Sequence, residues 1–271
     1  WSSDVCSSDL WDRVGFDASK WTGASVYPDP GIARVAMSGP TVREIEQVKP
    51  VTLKKISTHW SRHGYIVDMG QNMVGRVRLR INKPVKGQTI KLRFGEMLTG
   101  GLTGSLYTAN LREAQQIDRY TMRGDGGEEI FETKFTFHGF RFIEVDLYPG
   151  ELTADDITGI VLHSEMEKTG SFECSDPLIN HLQKNIQWGQ KGNFLDVPTD
   201  CPQRDERLGW TGDAQAFVRT AAFNHDVSGF FAKWCKDLMD AQHADGAVPC
   251  IAPNVEPSHK PQSPGHDGGP A

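Results

Sequence analysis

The chain has 271 residues, 24% of them charged and 38% hydrophobic, ordinary globular usage that excludes wholesale disorder and leaves room for two domains at about 150 residues each. Lys and Arg total 29 against 35 Asp and Glu, a net charge of -6 without a long basic run, which argues against a surface that tracks nucleic-acid phosphates. No apolar stretch reaches the roughly 18 residues of a membrane span and no basic-then-apolar leader opens the chain, so neither nucleic acid nor a membrane is an expected partner.

Residues 1 to 10, WSSDVCSSDL, nearly repeat themselves, carry neither helical nor strand periodicity, and read as a processing or assembly scar outside the fold. From Trp11 to Pro50, short apolar groups are broken by Pro28, Pro30, Gly31, Gly39 and Pro40, a pattern of loops with one or two strands at the end of a preceding β domain. Residues 51 to 168 then carry the two-residue alternation of half-buried strands. Val77, Leu79 and Ile81 face away from Arg76, Arg78 and Arg80, and Ile90, Leu92 and Phe94 away from Lys91 and Arg93. NKPVKG between these runs has the turn chemistry of a hairpin. The pattern continues through DRYTM, KFTFHGF, RFIEVDLY and GIVLHS with no convincing helix, which predicts an antiparallel β-sandwich.

Residues 169 to 271 read as a second, helical domain. Ser175 or Asp176 can cap a helix, Pro177 suits its first turn, and Leu178, Leu182 and Ile186 fall four apart. A second stripe uses Ala214, Phe217, Val218, Ala221 and Ala222, and a third Phe231, Trp234, Cys235 and Leu238. After Gly246 the chain becomes Pro-rich and ends at HDGGPA while these apolar faces still lack partners, so it is expected to be a fragment cut inside this domain.

Five cysteines, Cys6, Cys174, Cys201, Cys235 and Cys250, are odd in number and widely spaced, without a C-x-x-C pair. They do not make a disulfide scaffold and suit a reducing, cytoplasmic compartment better than export. His59 and His63 have metal-ligand spacing, but no further ligands are evident, so they read as loop histidines and no metal is expected.

Chemistry concentrates in DVPTDCPQRDERLGWTGD, residues 196 to 213, where Asp200, Arg204, Asp205, Glu206, Arg207, Trp210 and Asp213 crowd a loop stiffened by Pro198 and Pro202. One reading is a sugar site: a carboxyl protonates a leaving oxygen, other polar groups bind hydroxyls, and the indole stacks on a pyranose. Close-set carboxylates disfavour each other's ionised form, which lets one serve as the acid. The other reading has Asp213 capping the next helix, Arg and Asp pairing on the surface, and Trp210 in the core. On residue types alone the second is the commoner situation, because charged loops are usually solvated.

The letters shift that balance. CPQRDERLGWTGDAQ after NFLDVPTD resembles the bacterial α-L-rhamnosidase family of inverting glycoside hydrolases, and YIVDMGQNMVGRVRL, LRFGEML, LYTANLREAQQIDRYTMRG, FTFHGFRFIEV and KWCKDLMDAQ extend the likeness over roughly residues 11 to 271. The resemblance implies a β-sandwich followed by the first helices of an incomplete (α/α)6 six-hairpin barrel. Glu206 matches the general acid, Asp200, Arg204 and Trp210 match positions that contact rhamnose, and Asp213 matches a further acidic position grouped with substrate binding. Asp205 has support of the loop as its expected job. The family's general base is a Glu far downstream, outside this chain, so the chain is expected to be inactive alone.

The activity implied by the resemblance is hydrolysis of terminal α-L-rhamnosyl bonds in plant glycosides or pectic and microbial polysaccharides, with no cofactor and with room for a homodimer in the full-length enzyme. The rival is a non-catalytic carbohydrate-binding β-sandwich module, in which the acidic loop only holds sugar. Among minor candidates, His138 reads as a packed, hydrogen-bonded histidine. Trp188 and Gln190 either line the cleft or pack at the domain junction, and Glu96 after Gly95 is an interface group or a surface charge. LRFGEML lacks the glycine spacing and ending of a phosphate loop.

Overall fold

The structure is a computed structural model that describes residues 14–57, 63–100 and 104–255, with the backbone of 3–6. Its elements in chain order are β1 (Ser3–Cys6), β2 (Val42–Val48), β3 (Thr52–Ile56), β4 (Gly64–Ile81), β5 (Thr89–Gly95), β6 (Met97–Leu98), β7 (Leu106–Tyr107), β8 (Ile117–Thr121), β9 (Glu129–Glu132), β10 (His138–Asp146), β11 (Ile157–Ser164), α1 (Pro177–Asn193), β12 (Phe194–Leu195), β13 (Val197–Pro198), α2 (Thr211–Asn224) and α3 (Ser228–Ala241).

The main sheet runs β1-β8-β5-β10-β4-β11-β2, with β3 and β9 also on β4. The long strand β4 makes it a sandwich by serving two layers. Its first residues pair with β3 and β10 (Ile66 opposite Lys54 and Glu144), and its end pairs with β11 and β9 (Leu79 opposite Ile157 and Phe131). Between the two halves Gly70 turns the backbone at φ 73°, and β10 follows with a bulge between Phe140 and Phe142. At Gly75 the backbone of β11 comes so close that a Cβ would lie 1.9 Å from the Ile160 carbonyl oxygen. Alternation along β4 and β5 sends Val77, Leu79, Ile81, Ile90, Leu92 and Phe94 into one buried core with Phe140 and Ile143.

The outward arginines of β4 are tied across strands. Arg76 pairs with Glu44 and Glu132, Arg78 Nε lies 2.6 Å from Glu132, and Arg80 Nε 3.4 Å from Asp156. Partly exposed pairs of this kind are each worth about 0–1 kcal/mol, so their main effect is on register.

The expected hairpin at NKPVKG is not formed: β4 and β5 are not neighbours, because β10 lies between them. The turn reverses the chain, but the end of β4 is already taken by β9 and β11, and the chain crosses to the other layer. The strand predicted from KFTFHGF begins only at His138, leaving Lys134–Phe137 as a loop. β2 falls within residues 11 to 50, yet it is an edge strand of this same sheet. Ser3–Cys6, which the sequence sets outside the fold, runs parallel to β8. Residues 7–10, His59 and residues 256–271 lie outside the described residues.

α1 starts as its sequence predicts, with Asp176 Oδ1 accepting the Leu178 N–H at 2.8 Å and Pro177 in the first turn. Its predicted stripe points away from the sheet, Leu178 being 79% and Leu182 55% exposed. The sheet is met instead by Trp188, packed against the core, and by Gly192, where a Cβ would lie 2.8 Å from Val74. α2 and α3 close around Phe194, whose ring stacks on Phe230 at 4.6 Å. The 249–252 segment returns to bury Ala252 against Ala214 and Trp234. Among the described residues, no helix is long and apolar enough to cross a membrane.

Where sheet and helices meet, His163 and His225 are both buried. Burial pushes both imidazoles below their ordinary range, aided at His225 by His163, Lys191 and Lys168. The unfolded chain therefore takes up these protons first as pH falls below about 6.5, so stability is full above that pH and declines beneath it. The melting temperature should drop between pH 7 and pH 5, before the carboxylates titrate, and His163→Gln/His225→Gln should flatten the drop. A profile unchanged by the double substitution would place the pH dependence elsewhere. Glu144, whose buried carboxyl is pushed up, acts in the opposite sense at the acid end of this window.

Candidate active site

The loop between β13 and α2 is fixed from three sides. Ahead of it, Thr199 N–H donates to the Asn193 carbonyl at 2.8 Å. Behind it, the Ala252 N–H donates to the Gly209 carbonyl at 2.9 Å, and the Thr211 N–H to that of Cys250 at 2.9 Å. This approach needs a glycine, since a Cβ at Gly209 would lie 2.2 Å from the Ala252 oxygen. The third hold comes from the sandwich and centres on Arg207.

Arg207 has φ 55°, donates from Nη1 to the Phe137 carbonyl at 3.0 Å and from Nη2 to Gln116 Oε1 at 3.3 Å, and lies 4.4 Å above the Phe137 ring. Burial pushes its guanidinium below the usual arginine range. Gln116 Oε1 is also 3.1 Å from His138 Nδ1, while His138 Nε2 meets Asp118 at 2.9 Å and the imidazole stacks on Phe94. His138 is thus the packed histidine predicted, and it braces the partner of Arg207.

Arg204 gathers the acids. Its Nη2 bonds Asp200 Oδ2 at 2.8 Å and its Nε lies 3.0 Å from Glu206 Oε2. Arg112, from the loop before β8, donates to the same Glu206 oxygen at 2.7 Å. Asp200 Oδ1 accepts the Leu208 N–H at 3.2 Å. Ligand atoms of Asp200, Cys201 and Glu206 lie within 4.8 Å of one another. This cluster does not fit a cation: Arg204 already stands between the carboxylates, and burial together with Asp200 pushes the Cys201 thiol up to about 11, so it stays protonated.

Two clefts border the loop. The larger, about 960 Å³, runs between residues 113–116 and 134–138 of the sandwich and Arg204, Asp205, Glu206 and Arg207. The smaller, about 250 Å³, lies between α1 and α2 and includes Asp200, Asp213 and Gln190. The structure therefore joins Asp200, Arg204 and Glu206 directly and puts Asp213 in the smaller cleft with Asp200. Asp213 sits in the first turn of α2, where the helix dipole favours a carboxylate, but the cap residue is Trp210. Asp205 is exposed on the wall of the larger cleft. Trp210 is half-buried, bridges Ile251 through its backbone, and lines neither cleft.

Of the residues with two readings, Trp188 packs at the junction beneath Lys191. Gln190 lines the smaller cleft, and its bond to the Ala221 carbonyl at 3.3 Å lies within the helical domain, between α1 and α2. Glu96 links Asn72 at 2.9 Å and Asn110 at 3.0 Å. Sequence reasoning misses Arg112 and Gln116, because their partners lie 94 and 91 residues away and no local pattern marks them. Arg207 reads in sequence as one more charge of the loop.

Comparison with known proteins agrees with this architecture. The bacterial alpha-L-rhamnosidase concanavalin-like domain matches residues 58–163, and the bacterial alpha-L-rhamnosidase 6 hairpin glycosidase domain matches residues 167–267. An alpha-L-rhamnosidase of Streptomyces avermitilis is 44% identical over 249 residues, covering 90% of this chain and 23% of that protein. One from Formosa agariphila is 39% identical over 251 residues, covering 90% of this chain and 26% of that protein. The crystal structure of the Streptomyces avermitilis enzyme complexed with L-rhamnose superposes with a TM-score of 0.80 at 43% identity, over 92% of this chain and 23% of that one. The Aspergillus terreus enzyme gives 0.79 at 39% identity, over 96% of this chain and 29% of that one. The chain thus spans about a quarter of the length of the curated relatives it matches. With one domain of the family on the sheet and the other on the helices, together over most of its length, the chain belongs to the bacterial α-L-rhamnosidase family.

Proposed function

We propose that this chain carries the proton-donating half of an active site that hydrolyses terminal α-L-rhamnosyl bonds of small glycosides or polysaccharides by inversion. The observation that supports it most is Glu206, a carboxyl on the wall of the larger cleft, held through one oxygen by Arg112 and Arg204. In this reading the protonated carboxyl gives its proton to the glycosidic oxygen as the bond to the anomeric carbon breaks. A water, deprotonated by a second carboxylate, attacks that carbon from the opposite face. Asp200, Arg204 and Asp213 bind ring hydroxyls, and Asp205 supports the loop. Trp210 is proposed to supply the stacking face for the same sugar ring, and Trp210→Ala should weaken binding while leaving the acid in place.

The water-activating carboxylate is assigned to a Glu outside the 271 residues. The chain as given should accordingly leave an aryl α-L-rhamnoside intact, and turnover by it that vanishes in Glu206→Gln would overturn the assignment. The longer reading frame that contains the chain should release β-rhamnose first, as read by proton NMR in the first minutes. Initial α-rhamnose would sink the inverting mechanism.

A further inference from the structure

The structure assigns to Arg112 a role in positioning the acid: a sandwich residue, held in a strained turn, that clamps one oxygen of Glu206 across the domain junction. This rests on the reading of Glu206 as the proton donor. Arg112 has φ 55° and ψ -114°, and the Ala114 N–H bonds the Leu111 carbonyl around it at 3.0 Å. Those angles belong to the first central position of a type II′ turn, which favours glycine, so an arginine there costs energy that glycine would not. Its surroundings hold the turn in place. Leu111 is buried, and Asn110 donates to Glu96 at 3.0 Å while Asn72 of β4 donates to the other Glu96 oxygen at 2.9 Å. The strained residue is thereby aimed from the rigid sheet at Glu206 Oε2, 2.7 Å away.

Stability does not account for this arrangement. The Arg112 side chain is 55% exposed, and exposed ion pairs contribute little. The consequence falls on Glu206 instead. The closest approaches of Arg112 and Arg204 are both to Oε2, which fixes the plane of the carboxyl and leaves Oε1 as the oxygen to face a leaving group. Among the described residues, the charged and titratable groups around Glu206 are Arg112, Arg204, Asp200 and Cys201, with Glu113, Lys134, His138, Asp205 and Arg207 along the same cleft. Of these, Arg112 is the cation that the sandwich contributes in direct contact.

The test uses carbon-13 NMR of the Glu206 carboxyl, assigned by its loss in Glu206→Gln, in the chain itself. Removing a cation in contact favours the protonated form, so Arg112→Gly should raise the titration midpoint of Glu206 by about 0.5–1 pH unit, less than for a buried pair because the contact is partly solvated. Arg112→Lys should restore much of the original midpoint. The melting temperature of Arg112→Gly should equal or exceed that of the parent, because the turn relaxes. An unmoved midpoint, or a lowered melting temperature, would overturn the proposal and leave Arg112 a structural residue. In the longer reading frame, Arg112→Gly should move the alkaline limb of the rate profile to higher pH and lower kcat more than it changes KM. If Glu206→Gln leaves turnover intact there, the acid assignment fails; if Glu206→Gln abolishes it while Arg112→Gly leaves the profile unmoved, only the positioning role fails.

Discussion

In the longer reading frame, Glu206→Gln should lower turnover of substrates with poor leaving groups by about 10²- to 10⁴-fold with little change in binding, the range expected for loss of a positioned acid. The amide keeps the shape and can still meet Arg112 and Arg204 through its oxygen, but it has no proton to give. The loss should shrink for a nitrophenyl rhamnoside, whose oxygen departs with less help. Kinetics on a matched pair of substrates decide the matter. An equal loss on both, together with a leaving-group dependence in Asp200→Asn or Asp205→Asn, would show that another carboxyl is the acid.

Gly75→Ala should be strongly damaging to the fold. The new methyl would sit 1.9 Å from the Ile160 carbonyl oxygen and 2.9 Å from its carbon, backbone atoms in a paired strand that cannot turn aside. Either β11 separates from β4 or the strand buckles where it passes between the two layers. Overpacking typically costs about 1–3 kcal/mol and more where backbone must move, and the expected loss is about 3 kcal/mol or greater, against a total stability of roughly 5–15 kcal/mol for a folded domain. Gly127→Ala, with nothing within 4 Å of the added carbon, is the matched control. Denaturant midpoints that coincide for the two variants would refute the close-approach argument.

Strand identity was legible in the sequence because burial of one face writes a two-residue period into it, as Val77, Leu79 and Ile81 show. Strand partnership was not. NKPVKG announces a reversal, but nothing local says that β10, more than 40 residues on, will enter between β4 and β5. The same limit separates α1 from its neighbours: Leu178, Leu182 and Ile186 give the helix its period, yet the residues that touch the sheet are Trp188 and Gly192. In the site, the loop from Asp200 to Asp213 stood out as a local concentration of charge. Of the residues that hold it, Gln116, Phe137 and Arg112 come from a different domain and carry no mark of it in their own segments.

The grip of Arg207 on Phe137 and Gln116 limits how relatives could be recombined. A crossover in the linker between Ser164 and Pro177 looks natural, since it separates strands from helices. It would nevertheless divide the Arg207 guanidinium from the ring it rests on and from the amide it shares with His138. It would also set Pro202 and Gln203 against whatever residue replaced Gly139, where a Cβ would lie 3.0 Å from Pro202 and 3.1 Å from Gln203. A chimera built at that breakpoint inherits a correct sheet and correct helices, but its loop is aimed by a foreign seat. Moving residues 112–116 and 137–139 along with the helices is the smallest transplant that carries the seat with it.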